Sequence, residues 1–368
     1  MSKKESGASA RAGEVVIAVN TPSRSYDVHV GAGVLERVGA VARDAAGGER
    51  ACVITETNVG PLYADAVEAS LEAAGYKTSV LTFPAGEQHK CLATLETLLE
   101  GLAEAGLTRD DVVVALGGGV TGDMGGLAAA MYLRGIQVVQ VPTSLLAMVD
   151  SSVGGKVAVD LAHGKNLCGF FWQPSAVVAD VRCLASIEPS LMRDSVGEVV
   201  KHAVLADPEL LAELSREPLT FADCPEEKLV RIVAENVRIK RDVVDADERE
   251  RGLRQTLNLG HTIGHGIEAV KGIKGRRTVG LFHGECVALG MLPMIESKAL
   301  QKRVRAVYRR IGLPTRTTYN KEKVLAEMLH DKKAQGGQIT VIKVPGLGCW
   351  RAETIHVEGL RPLLGVEE

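Results

Sequence analysis

The first half of the chain alternates short apolar runs with longer segments in which apolar residues recur every three or four positions. Apolar runs of four to eight residues bounded by Gly or Pro predict buried strands, and the periodic segments predict amphipathic helices. Strands are predicted at 14–19, 26–30, 51–55, 77–83, 111–116, 137–141 and 176–181, and helices at 34–45, 62–74, 91–105 and 125–133. Such alternation predicts a mostly parallel sheet covered on both faces.

The pattern changes near residues 185–190, after which helical periodicity dominates. Helices are predicted at 191–205, 208–215, 226–244, 256–270, 284–300 and 321–329, with a single strand candidate at 338–344. We therefore predict a disordered tail at 1–13, an α/β domain at 14–187 and a helical domain at 188–368. Ligands of such proteins bind at the carboxyl ends of strands and in interdomain clefts.

Composition narrows the class of protein. The 368 residues suit two domains, and 46% apolar with 24% charged residues is ordinary for a globular protein. A net charge of −3 provides no basic field for nucleic acid. No apolar stretch has transmembrane length, and the first 13 residues lack a signal core. Seven scattered cysteines without a C-x-x-C motif fit a reducing compartment. We expect a cytoplasmic protein without nucleic-acid or membrane partners.

A glycine-rich turn follows the predicted strand 111–116. Gly117, Gly119 and Gly122 satisfy the G-x-G-x-x-G spacing before an Ala-rich helix. Free backbone N–H groups at the positive end of a helix form a phosphate cradle. The acidic residue that dinucleotide-binding proteins carry about 20 positions later is missing. The turn predicts a nucleotide-bearing cofactor whose ribose is held from elsewhere; the alternative is an ordinary tight turn.

Three histidines and one glutamate form a candidate metal site. His261 and His265 lie one helical turn apart, and His283 opens the next predicted helix. Glu198 lies on an otherwise apolar helix. Imidazoles with one carboxylate form a Zn²⁺ site that leaves coordination positions open for substrate. A lone histidine is more often a core or surface residue, but the three together favour a metal.

Lysines in Gly-rich or apolar settings form the third candidate feature. Lys156, Lys165 and Lys201 are in such settings, whereas most lysines are solvated. On an acidic chain, these lysines favour a small substrate that carries phosphate or carboxylate. Cofactor, metal and anionic substrate together describe hydride transfer at a carbon whose oxygen is polarised by a metal ion.

These features resemble the 3-dehydroquinate synthase family. The matching stretches are residues 84–90, 117–123, 132–135, 141–156, 164–167, 197–201, 247–254, 257–265, 283–285 and 331–333. The resemblance implies a Rossmann-like N-terminal domain that binds NAD, an all-helical C-terminal domain that binds metal and substrate, an active site between them, and usually a homodimer.

The resemblance also implies residue roles. Glu198, His261 and His283 are the implied ligands of Zn²⁺ or Co²⁺, and His265 is an implied contact of the substrate phosphate. The implied NAD contacts are Glu56, Asn58, Glu87, Lys90, Gly118, Gly119, Val120, Thr121, Gly122, Asp123, Thr143, Ser144, Lys156, Lys165 and Cys183. Besides His265, the implied substrate-binding residues are Arg134, Asp150, Lys156, Asn166, Lys201, Lys240, Arg254, Asn258 and Lys332 or Lys333.

The implied reaction converts 3-deoxy-D-arabino-heptulosonate 7-phosphate to 3-dehydroquinate and phosphate, with NAD used catalytically. Other sugar phosphate cyclases are the nearest alternatives. The inosose and valiolone synthases usually change the Ser151–Lys156 stretch, whereas aminodehydroquinate synthase keeps it and stays open. A metal-dependent polyol dehydrogenase would carry an Asp and more histidines. A non-catalytic NAD-binding protein would have no reason to keep costly buried charges.

Overall fold

The computed structural model describes residues 13–217, 219, 224–270, 273, 280–330 and 337–365, without the side chains of 329 and 330. The chain forms two compact units. The first contains residues up to Ile187 together with Cys224–Glu248, and the second contains Glu188–Asp223 and Arg249–Glu368. The predicted tail at 1–13 lies outside the described residues except for Gly13.

The N-terminal unit is built on a seven-stranded sheet of order β1-β2-β9-β6-β5-β3-β4. All neighbours pair in parallel except β1 and β2. The central β5 is buried along its whole length, as its continuous apolar run predicts. The strands are β1 (Val15–Asn20), β2 (Ser25–Gly31), β3 (Arg50–Glu56), β4 (Lys77–Phe83), β5 (Val112–Gly117), β6 (Gln137–Pro142) and β9 (Ala176–Asp180).

Four helices connect these strands: α1 (Val38–Ala46), α2 (Gly60–Ala73), α3 (Leu92–Glu104) and α4 (Gly119–Met131). A core cluster joins α3 and α4 to the sheet, with Leu98 and Leu127 packed near Ile54 and Val113. The predicted α/β fold is therefore confirmed, and strand boundaries agree with the prediction to within one residue.

Two strands in this unit were not predicted. They are β7 (Lys156–Leu161) and β8 (Gly164–Phe171), and they form an antiparallel hairpin. Most β8 residues are exposed, so this strand lacks the apolar run or alternation by which buried strands are found.

The predicted boundary at 187/188 coincides with the first passage of the chain between units, but the helix α7 (Glu226–Ala246) belongs to the N-terminal unit. Its apolar face packs against β1, β2 and the π-helical turn Ala147–Ser151. Glu248, just beyond α7, accepts a hydrogen bond from Gln173 at 3.0 Å. The amphipathic pattern predicted this helix but not the surface that it covers.

The second unit is mainly helical. Its helices are α5 (Pro189–Ala206), α6 (Pro208–Arg216), α8 (His261–Ala269), α9 (His283–Met291), α10 (Lys298–Ile311), α11 (Lys321–His330) and α12 (Arg361–Leu364). It is not entirely helical as predicted, because β10 (Gln338–Gly346) and β11 (Cys349–His356) form an antiparallel pair. The predicted helix 284–300 is divided into α9 and α10, and Ser297 caps the second by accepting the Leu300 N–H at 3.3 Å.

Among the helices that the structure describes, none combines the length and apolar character needed to cross a membrane.

Candidate active site

Six parallel strands end at one edge of the N-terminal sheet, and the predicted NAD contacts, apart from the hairpin lysines, follow five of them. After β3, the chain adds β4 on one side of β3 and then β5 on the other side. The direction in which strands are added to the sheet therefore reverses at β3. Such a switch point opens a ligand-binding crevice at the carboxyl edge. The residues at this edge are Glu56 and Asn58 after β3, Glu87 and Lys90 after β4, Gly118 to Asp123 after β5, Thr143 and Ser144 after β6, and Cys183 after β9.

The glycine turn has the backbone of a phosphate cradle. Gly118 is the extended residue before α4, and Gly122 N donates to Gly118 O at 2.9 Å. A Cβ on Gly118 would lie 3.5 Å from the Ser144 hydroxyl, and one on Gly119 would lie 3.2 Å from the Ser151 hydroxyl. Side chains here would fill the space in front of the first N–H groups of α4. The residues present therefore fit a bound phosphate.

A buried lysine, Lys90, contacts two other predicted site residues. Lys90 is 4% exposed, and its ammonium contacts the Asp123 carboxylate and donates to Asn166 Oδ1 at the tip of the β7–β8 hairpin. Burial raises the pKa of Asp123 to about 6 although Lys90 opposes this shift. Beside them, Lys165 pairs with Glu87 at 3.3 Å. The hairpin, which the sequence did not predict, thus brings Lys165 and Asn166 to the carboxyl edge of the sheet.

Glu56 has a local role that sequence did not predict. Its two carboxylate oxygens accept the backbone N–H groups of Asn58 at 2.7 Å and Val59 at 3.0 Å. These bonds hold the turn between β3 and α2 at the switch point. The predicted contact of Glu56 with the adenosine end of NAD remains a prediction.

Asp150 and Lys240 form another ion pair in the N-terminal unit. The Lys240 ammonium, on α7, contacts the carboxylate and the backbone carbonyl of Asp150 in the π-helical turn. Lys240 is 6% exposed. The two residues are 90 positions apart in the sequence. The fold therefore pairs two substrate-binding candidates that the sequence did not predict to be in contact.

Arg134 lies away from these candidates. It is exposed, has a left-handed φ of 69°, and follows the C-terminal end of α4. The 13 residues of α4 span about 20 Å, so Arg134 lies at the sheet edge opposite the glycine turn. Its predicted substrate contact remains a prediction.

Three side chains of the second unit form the candidate metal site. Glu198 on α5 is fully buried, and its Oε1 lies 3.6 Å from His261 Nε2 and 3.7 Å from His283 Nε2. One ligand atom from each residue lies within 4.8 Å of the others. These separations are too long for direct hydrogen bonds. Tetrahedral bonds of about 2.0–2.1 Å place ligand atoms about 3.3–3.4 Å apart, so the three residues fit an ion held between them.

The other ring nitrogen of each histidine has an orienting partner. His261 Nδ1 lies 3.3 Å from Leu259 O, and His283 Nδ1 lies 3.1 Å from Glu268 Oε2. Such partners fix the tautomer and direct Nε2 to a metal. Glu268 was missed from the sequence, although its position seven residues after His261 places both on one face of α8.

The charges of the cluster favour a cation. Burial lowers the pKa of His261 well below its ordinary value, so this imidazole is neutral as a metal ligand must be. Burial would also lower the pKa of His283, but Glu198 and Glu268 outweigh it and raise that pKa to about 10. The two carboxylates therefore attract positive charge to this position, and a divalent ion can take the place of the proton.

Close packing of α5 on α9 sets the distance between Glu198 and His283. A Cβ on Gly284 would lie 2.0 Å from the backbone oxygen of Asp194, and one on Gly197 would lie 2.6 Å from the backbone oxygen of Gly284. Asp194, also missed from the sequence, is buried and accepts the Glu285 N–H at 2.8 Å. It lies one turn before Glu198 on α5, so one helix both provides a ligand and holds the start of α9.

The other substrate candidates of this unit lie on adjoining segments. Lys201 is 1% exposed and pairs with Glu198. Arg254, also 1% exposed, and Asn258 lie on the 3₁₀ turn Leu253–Asn258, two residues before α8 begins. The His265 ring centre is 5.3 Å from that of His261 and 5.9 Å from that of His283. Lys332 and Lys333 lie outside the described residues.

Comparison with known proteins identifies the family. Residues 80–194 match the family described as 3-dehydroquinate synthase N-terminal, and residues 195–334 match 3-dehydroquinate synthase C-terminal. The 3-dehydroquinate synthase of Enterococcus faecalis strain OG1RF is 39% identical over 363 residues, which cover 95% of this chain and 99% of that protein. The chain belongs to the 3-dehydroquinate synthase family. The Symbiobacterium thermophilum 3-dehydroquinate synthase is 44% identical over 326 residues, covering 85% of this chain and 89% of the relative.

Solved structures of other sugar phosphate cyclases have the fold of this 3-dehydroquinate synthase family member. A 2-deoxy-scyllo-inosose synthase complexed with carbaglucose-6-phosphate, NAD⁺ and Co²⁺ is 24% identical with a TM-score of 0.82, covering 95% of this chain and 99% of that one. The 2-epi-5-epi-valiolone synthase of Streptomyces hygroscopicus, with NAD⁺ and Zn²⁺ bound, is 25% identical with a TM-score of 0.79, covering 93% and 97%. The predicted family, fold class and main function are confirmed, and the alternative functions are not favoured.

Proposed function

We propose that this protein uses bound NAD and a divalent metal to convert 3-deoxy-D-arabino-heptulosonate 7-phosphate to 3-dehydroquinate and phosphate. The observation that carries the proposal is the cluster of Glu198, His261 and His283, in which donors from three separate helices converge and both histidines have orienting partners. Structural neighbours that bind NAD⁺ with Co²⁺ or Zn²⁺ support the same pair of cofactors.

Each cofactor has residues of this chain that would hold it. Glu198, His261 and His283 would hold the metal, and the N–H groups at the start of α4 would hold the phosphates of NAD. When bound, NAD supplies a reversible hydride acceptor at the substrate C5 position, and the metal polarises the C5 oxygen. The chain itself contributes positioning and charge.

Buried cations provide the binding energy for an anionic substrate. Lys201 and Arg254 are each 1% exposed, and a buried cation is stable only with negative charge beside it. Lys201 now pairs with Glu198. Glu198 would hold the metal, and the Lys201 ammonium beside it would attract a substrate carboxylate or phosphate.

The exposed Lys156, at the start of the β7–β8 hairpin, supplies a further cation in the N-terminal unit. Lys240 is held in place by Asp150. We propose that Lys156 and Lys240 both bind substrate. The departing phosphate of the substrate can itself accept the C6 proton, so the elimination requires no strong protein base. We further propose that the protein acts as a cytoplasmic homodimer.

The test is phosphate release from the heptulosonate phosphate with NAD⁺, with and without a chelator, while NADH absorbance is followed. We expect stoichiometric phosphate release, loss of release on chelation and recovery with Zn²⁺ or Co²⁺, and no net NADH. The matched variants are Glu198→Ala, which should lose metal and turnover, and His265→Ala, which should lose turnover but keep the metal.

The possible failures have different meanings. A metal-loaded protein that releases no phosphate from this substrate has another substrate, and the amino analogue of the heptulosonate phosphate is the next one to test. Accumulation of NADH with a polyol would instead identify a dehydrogenase. Normal turnover in metal-free Glu198→Ala would refute the ligand assignment.

A further inference from the structure

The second unit contains a cavity that the proposed reaction does not use. It has a volume of about 480 Å³, which lies in the usual range for small-molecule sites. Its apolar floor includes Ile263 of α8, Leu289 of α9 and Leu292 just beyond α9. Ile263 lies two residues from both His261 and His265, and two residues correspond to a rotation of about 200° around a helix. The cavity is therefore on the side of α8 that faces away from the metal cluster.

The rim of the cavity is cationic. Arg305 of α10, Arg316 and Lys321 line it together with several threonines. Arg305 donates to Thr315 O at 2.7 Å, which fixes its guanidinium at the rim. Lys321 donates to the backbone oxygen of Gly365. No Asp or Glu belongs to the lining, and within the described ranges no carboxylate forms an ion pair with any of these three cations.

The neighbouring helix increases the positive potential. α10 carries six Lys or Arg residues among 14 and no acidic residue, although the whole chain is acidic at −3. Arg310, near its C-terminal end, is bound by the carbonyl oxygens of Ser215 and Arg216 rather than by a carboxylate. Backbone oxygens orient these guanidinium groups without cancelling their charge. A concave surface with low-dielectric walls focuses such a field.

We propose that this cavity binds a small anion with an apolar ring, whose carboxylate or phosphate contacts Arg316, Arg305 and Lys321 while the ring lies on Ile263 and Leu289. The apolar floor and the charged rim select for different parts of one ligand. An inorganic anion would contact only the rim, and a neutral ring would bring no negative charge to the rim cations. The site goes beyond the proposed reaction and does not depend on it.

Calorimetric titration of the full-length, metal-loaded protein tests this proposal. The probes are benzoate and phenyl phosphate, which differ in the anionic group, with benzyl alcohol and inorganic phosphate as single-feature controls. We expect at least one ring-bearing anion to bind saturably with one site per chain, and about tenfold more tightly than either control. The preferred probe distinguishes a carboxylate site from a phosphate site.

Matched variants locate the binding. Arg316→Gln removes an exposed rim cation and should weaken binding about tenfold. Arg309→Gln removes another exposed cation, one of α10 that does not line the cavity, and should change the affinity less than twofold. Thr318→Trp should block the cavity with little effect on folding, because Thr318 is exposed.

Three results would overturn the proposal. The first is no saturable binding of any ring-bearing anion. The second is an equal loss in Arg316→Gln and Arg309→Gln, which would indicate general attraction to a basic helix. The third is binding that His265→Ala abolishes and Arg316→Gln does not, which would locate the probe at the metal-bearing side of α8.

Discussion

Gly284→Ala should disrupt the metal site without changing any ligand. The new Cβ would lie 2.0 Å from the backbone oxygen of Asp194 and 2.8 Å from its carbonyl carbon. Non-bonded heavy atoms need about 3.5 Å, so α9 and α5 would have to separate locally by about 1.5 Å. The clash is with backbone, which no rotamer change can relieve.

A shift of this size exceeds what coordination tolerates. Metal–ligand distances hold within about 0.2 Å, whereas the variant would move His283 away from Glu198 by several times that amount. We expect metal affinity to fall at least 100-fold. Overpacking of this kind also costs about 1–3 kcal/mol of stability.

Equilibrium dialysis against Zn²⁺ and Co²⁺, with thermal denaturation in chelator, measures both effects. Gly359→Ala is the matched control, because its Cβ would meet nothing closer than 3.6 Å. NAD affinity should stay unchanged in both variants, since the glycine turn belongs to the other unit. Wild-type metal affinity in Gly284→Ala would show that the α5–α9 contact does not set the ligand distance.

Four other substitutions have separate expected outcomes. Glu198→Ala should lose bound metal, measured by elemental analysis, while its circular dichroism stays that of a folded protein. Lys156→Ala should retain metal but lose turnover, and unchanged turnover would make Lys156 an ordinary surface lysine. Lys240→Met leaves the partly buried Asp150 without its cation and should cost about 3 kcal/mol in urea denaturation; an unchanged midpoint would contradict this. Burial raises the pKa of Asp194 to about 7, above the unfolded value of about 3.9. This raised pKa means that the folded chain binds the proton more tightly, so its stabilising contribution is complete below pH 4 and disappears as pH rises to 7. Relative to the wild type, Asp194→Asn should therefore raise the Tm of the metal-free protein above pH 7 and leave it unchanged below pH 4. Plots of Tm against pH that stay parallel for the two proteins would refute this assignment.

The sequence predicted the elements whose signals are local. Central strands such as β5 are continuous apolar runs because both faces are buried. The β7–β8 hairpin was missed because Phe170 and Leu167 are exposed and its polar residues follow no alternation. The sequence does mark the break in the predicted helix 284–300. Pro293 indicates the end of one helix and Ser297 the start of the next, but the prediction did not use them.

The candidate site could be predicted as residue types but not as pairs. Spacing on one helix relates His261 to His265, and the same argument would have found Glu268. Asp150 and Lys240 are 90 residues apart, and the periodicity of helices or strands does not predict a contact between residues so far apart in sequence. Motif matching likewise does not show that Arg134 follows the far end of α4, and its substrate contact remains a prediction.

The place of α7 in the chain affects how the protein can be synthesised. The last strand of the N-terminal sheet ends at Asp180, but α7, which covers β1 and β2, ends at Ala246. At about 5–20 residues per second, translation of the intervening segment takes roughly 3–13 s. During that interval the sheet emerges from the ribosome with an apolar surface still open to water and to other nascent chains. A chain ended at residue 187 would expose this surface permanently, so chaperone demand and aggregation should both be highest for that fragment.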